Sequence, residues 1–90
     1  MSIDILIAEY PGDLAWQRFV DVFPHQPGRP RLGLQDEGIE RVLAGDMGEN
    51  GSRWLEYPVP ALEHRTPSDV LANHPQGQLA VRSVLMRMPR

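Results

Sequence analysis

Nine prolines in 90 residues divide this chain into short segments and limit every element it can form. Inside a helix, proline removes an amide donor and clashes with the preceding turn, at a cost of about 3 kcal/mol. Pro11, Pro24 and Pro75 therefore read as stops, and Pro58 with Pro60 as a turn. Pro24, Pro27, Pro30 and Gly28 make residues 24–31 a linker by composition. The expected fold is mainly α: a small domain of about four short helices with one N-terminal β-strand or extended arm.

The strand expectation comes from residues 3–10, Ile-Asp-Ile-Leu-Ile-Ala-Glu-Tyr, rich in β-branched and aromatic side chains and closed by Pro11-Gly12. No second strong strand follows. A lone strand would add to a partner's sheet or pair with its own copy in a homodimer; the alternative is an arm packed in extended form. The first helix is expected from Asp13, as its cap, to about Phe23, because Trp16, Phe19, Val20 and Phe23 repeat at helical spacing. A second is expected over 35–44, with Ile39, Val42 and Leu43 on one side, and residues 45–52 read as a glycine-bearing loop. Thr66-Pro67-Ser68-Asp69 is a helix start: Thr66 caps, Pro67 takes the first helical position, and Asp69 reaches back as the third-position acid. That helix ends near Asn73. Pro75 then opens the last one, which runs to about Met88 with Val81, Val84, Leu85 and Met88 as its apolar stripe.

A chain of this length is one small domain, burying only about 60–65% of its unfolded surface. Its 41% hydrophobic and 23% charged residues exclude wholesale disorder. No apolar run approaches a membrane span, and no basic-then-apolar leader opens the chain, so the expected location is cytoplasmic. Without cysteine there is neither a disulfide framework nor a thiolate metal site.

Charge is divided unevenly. All 12 acids lie at or before Asp69, where six arginines leave a balance of −6; residues 70–90 hold Arg82, Arg87 and Arg90 and no acid. Every basic residue counted in the net charge is arginine, suited to bidentate contact with carboxylates and phosphates. An acidic body makes DNA binding an unfavoured expectation, since that affinity draws on neutralised phosphates.

Catalytic patterns are thin. No serine sits in a Gly-x-Ser-x-Gly elbow, no phosphate-binding glycine signature is present, and Gly45, Gly48 and Gly51 fall in an acidic loop. His64 and His74, with Asp69 between them, match no metal-ligand spacing. Asp36 and Glu37 stand at a helix start, where the dipole accounts for them. The expectation is a protein that is not an enzyme, with no metal and no cofactor.

Trp54, Leu62, Thr66, Pro67, Val70, Leu71, Gly77, Val81 and Leu85 together resemble the C-terminal toxin-binding domain of the Xre/MbcA/ParS antitoxin family. In place of the Gly-Gly that often follows the family's leucine stand Glu63 and His64. The resemblance divides the single domain into a divergent N-terminal region, 1–53, and a helical toxin-binding-like region, 54–90. It implies an inhibitor docking beside a toxin's active site, the toxin being a RES-type enzyme that consumes NAD or transfers ADP-ribose. In that reading Arg82, Arg87 and Arg90 make polar contacts, Met86 and Met88 adaptable apolar ones, and Trp54 and Leu62 pack beneath them. Two other readings stay open: a small acidic inhibitor from a mobile element acting as a nucleic-acid mimic (anti-CRISPR-like), which the −6 over residues 1–69 motivates, and a DNA-binding transcription regulator, which that charge disfavours.

Overall fold

The computed structural model describes residues 2–24 and 32–88. Six α-helices follow in order: α1 (Ile3–Ala8), α2 (Asp13–Val20), α3 (Glu37–Asp46), α4 (Gly51–Leu55), α5 (Pro67–Asn73) and α6 (Gly77–Arg87), with 3-10 turns at 48–50 and 60–62. The expected count of four is corrected to six among the described residues. No strand is present among the described residues; an isolated bridge joins Val59 and Arg65.

The N-terminal segment is a helix, and strand pairing across a dimer has no strand to use. Its β-branched residues conceal a second period: Ile3, Leu6, Ile7 and Tyr10 fall at i, i+3, i+4 and i+7 and turn inward, while Ile5 stays 46% exposed. A six-residue helix is not stable alone, and this one is secured at both ends. Ser2 Oγ accepts from Ile5 N at 3.2 Å, and Glu63 Oε2 accepts from Ile3 N at 2.9 Å. At the other end Ser83 Oγ donates to the Leu6 carbonyl at 2.8 Å. The orphan amides and carbonyls of a helix terminus are thus satisfied by residues 60 and 77 positions away. Tertiary contact overrides the local β preference.

Gly12, not Asp13, is the N-cap of α2, and the helix closes at Val20, three residues short of Phe23. Its stripe is nevertheless the expected one, with Trp16, Val20 and Phe23 buried. Arg41 Nε donates to the Phe23 carbonyl at 2.7 Å and secures this end. Asp36 caps α3, accepting from Ile39 N at 3.1 Å, so the helix starts two residues later than expected and ends at Asp46. Part of the expected loop at 45–52 is helical, since the turn at 48–50 leads into α4. The linker's residues 25–31 lie outside the described residues.

Helix α6 is the hub, packed against α1, α2, α3, α5 and the turn at 60–62. Val81 and Leu85 are fully buried, and one core cluster runs from Ile3 and Trp16 through Ile39 and Leu43 to Leu62, Val70 and Leu85. The helix starts at Gly77, not at Pro75. A Cβ on Gly77 would stand 2.1 Å from the Val70 carbonyl oxygen, so only glycine lets α6 cross α5 this closely. Thr66 caps α5 as expected, its Oγ1 accepting from Asp69 N at 3.1 Å. Asp69 does not reach back. It accepts instead from Arg65 Nε at 2.6 Å and Asn73 Nδ2 at 2.7 Å, a cation and an amide outcompeting the distant cap amide.

Candidate functional site

The three C-terminal arginines do not share one environment. Arg82 is held inside the molecule: Nε donates to Asp36 Oδ2 at 2.8 Å, NH1 donates to Tyr10 Oη at 2.9 Å, and the guanidinium lies 5.1 Å from the Trp16 ring centroid. Asp36 keeps only 4% of its side-chain surface. Partial burial opposes the charge on Arg82, but the bonds to Asp36 and Tyr10 outweigh it and raise its pKa above the ordinary arginine value. Burial likewise pushes the Tyr10 phenol up, against the lowering effect of Arg82. Arg87 is 38% exposed and pairs at the surface with Glu9, itself 56% exposed. Arg90 lies outside the described residues.

On the far side of α6 from Arg82 opens an apolar groove of about 290 Å³, lined by Leu6, Trp54, Val59, Pro60, Ala61, Val84, Arg87 and Met88. Local chain chemistry builds its wall. Val59 N donates to the Arg65 carbonyl at 3.1 Å and His64 N to the Val59 carbonyl at 3.0 Å, closing residues 59–65 into a clasp. The clasp reverses through two consecutive left-handed residues, Glu63 (φ 58°) and His64 (φ 62°). A left-handed conformation costs a side-chain-bearing residue about 1–2 kcal/mol; glycine takes it freely.

The structure brings Trp54, Arg87 and Met88 together around this groove. Leu62 does not line it but is completely buried in the core, and Met86 is partly buried against that core. Leu6, Val59, Pro60, Ala61 and Val84 were not among the residues expected at a site. The closely spaced Pro58 and Pro60 are the local signal for the wall, whereas Leu6 reaches the groove only because α1 is helical.

Several of the acids are engaged within the molecule. Glu40 accepts from the Leu32 and Leu34 amides, Glu56 from Ser68 Oγ, and Glu63, Asp36, Asp69 and Glu9 as described. His74 Nδ1 accepts from Gln76 N at 3.1 Å. Among the described residues no group of three or more His, Asp or Glu is placed to hold a metal ion, and no helix is long and apolar enough to cross a membrane.

Apolar surface gathered in an open groove, with one arginine in its lining, is the kind of feature that marks an interaction or ligand-binding site. Residues 36–89 match the family model described as the antitoxin Xre/MbcA/ParS C-terminal toxin-binding domain, and the chain belongs to that family. No curated protein and no solved structure matches it.

Proposed function

We propose that this chain is an antitoxin that neutralises a partner toxin by seating its groove face on it, acting through binding and not through catalysis. One observation carries the reading: the family-matched stretch supplies every groove residue except Leu6. Trp54, Met86 and Met88 offer adaptable apolar contact, and Leu62 supports them from within. Arg87, with Arg90 beyond it, supplies the polar contact, and Arg82 positions α6. A RES-type toxin that consumes NAD or transfers ADP-ribose is the fitting target class, because its pocket must attract a pyrophosphate and acidic groups there would receive an arginine. The chain acts as one unit over residues 1–90.

Co-expression with RES-type toxins tests this. Wild type is expected to restore growth and cellular NAD, and Ala61→Arg, which places a charged side chain in the groove, to fail while keeping its urea midpoint. Undiminished rescue by folded Ala61→Arg would overturn the groove as the docking face.

A further inference from the structure

Of the eight residues lining the groove, Arg87 alone is charged, and its guanidinium already holds a carboxylate, that of Glu9, one residue beyond the end of α1. The arginine–carboxylate contacts of α6 differ in kind: Arg82 holds Asp36 at 2.8 Å and reaches Asp13 at 3.5 Å, whereas Arg87 pairs with Glu9. Breaking the Arg82–Asp36 pair would strand a nearly buried charge. The Arg87–Glu9 pair joins two exposed side chains, and such pairs are worth about 0–1 kcal/mol. It is therefore exchangeable at little cost to the fold, whereas the Arg82 pair is not.

We infer that Glu9 is an internal stand-in for a carboxylate on the toxin: the groove accepts an apolar side chain of the partner, and a neighbouring Asp or Glu of the partner takes Arg87 from Glu9. This rests on the docking reading above and adds the chemistry of the segment that docks. The complementarity is visible in the molecule itself. The lining side chains are apolar apart from one guanidinium, which selects an apolar residue beside an acid and rejects a basic one. Glu9 precedes the family-matched stretch, so the N-terminal region tunes a site that the C-terminal region mostly builds.

The probe is a displayed library of random dodecapeptides, panned on the full chain. The best peptide is then synthesised with its acid and with Gln in its place. Enrichment of an apolar residue next to Asp or Glu is expected. The acidic peptide should bind Glu9→Gln about two- to fivefold tighter than wild type, the fold-change equivalent of a released surface pair. It should bind Arg87→Gln more weakly, and Glu9→Gln should add nothing in the Arg87→Gln background. The Gln peptide should ignore position 9, and the gain should shrink in high salt. Urea midpoints confirm that the variants are folded. No enrichment, an acid-free or basic consensus, or a Glu9→Gln variant that binds the acidic peptide no better than wild type overturns the inference. If Ala61→Arg abolishes toxin rescue while peptide binding is indifferent to position 9, the exchange alone fails. If Ala61→Arg still rescues, the docking reading fails first.

Discussion

Arg82 lies over the face of Trp16 while its Nε holds the buried carboxylate of Asp36, so one side chain of α6 joins α2 to the first turn of α3. Asp36 spends its other oxygen on Ile39 N, capping α3. Removing the guanidinium leaves a nearly buried carboxylate with the cap bond as its remaining side-chain partner. Arg82→Met should destabilise the chain by about 2–3 kcal/mol, reduced from the fully buried case because Arg82 is partly wet. Asp36→Asn, which keeps an acceptor for the cap, should recover part of that loss in the double variant. Urea denaturation of the four species measures both terms. Arg87→Gln, by contrast, should cost under about 1 kcal/mol.

Among the described glycines, Gly77 has the least room for a side chain. Its ideal Cβ would stand 2.1 Å from the Val70 carbonyl, a backbone atom that cannot swing aside as a side chain could. Gly77→Ala should therefore cost about 3 kcal/mol, at the upper end for overpacking, by forcing α5 and α6 apart. Thermal unfolding followed by circular dichroism reads it. A change under about 1 kcal/mol would show that the crossing has slack.

The left-handed pair at 63–64 separates backbone strain from side-chain gain. His64→Gly should stabilise by about 0.5–1 kcal/mol, the relief of a left-handed residue less the added entropy of the unfolded chain. Glu63→Gly obtains the same relief but forfeits the bond to Ile3 N that secures α1. It should come out less stable than His64→Gly, with the difference concentrated in amide exchange at the start of α1.

The Arg65 guanidinium bonded to Asp69, helped by Asn73, holds that carboxyl below the usual aspartate range. A depressed folded-state value means the contribution is fully present above the unfolded value of about 4 and is lost as pH falls through the folded one. Asp69→Asn should flatten the acid limb of the stability profile below about pH 4 and leave its shape near neutrality unchanged. Urea midpoints across that range check the sign.

Helices α5 and α6 are legible in the sequence because local chemistry sets them: Thr66-Pro67 starts one, and the Val81, Val84, Leu85 stripe aims the other. Asp36 at a helix start is legible for the same reason. Helix α1 is not, since Ile3, Ile5 and Ile7 satisfy the strand period as well as Ile3, Leu6, Ile7 and Tyr10 satisfy the helical one. The partners that decide between them, Glu63 and Ser83, lie in the last third of the chain. The same distance hides Leu6 from the groove and ties Arg82 to Asp36. An arginine outside an apolar stripe reads as solvent-facing until a buried acid 46 positions earlier is placed beside it.

Because both ends of α1 are tied to the C-terminal half, the family-matched stretch of this chain is not a cassette. Excised at the family boundary, α6 would lose the helix packed against it and the acceptor of the Ser83 hydroxyl, and Glu63 would keep its strained backbone without its bond. Engineers seeking to graft the groove onto another head must transplant residues 2–9 along with it.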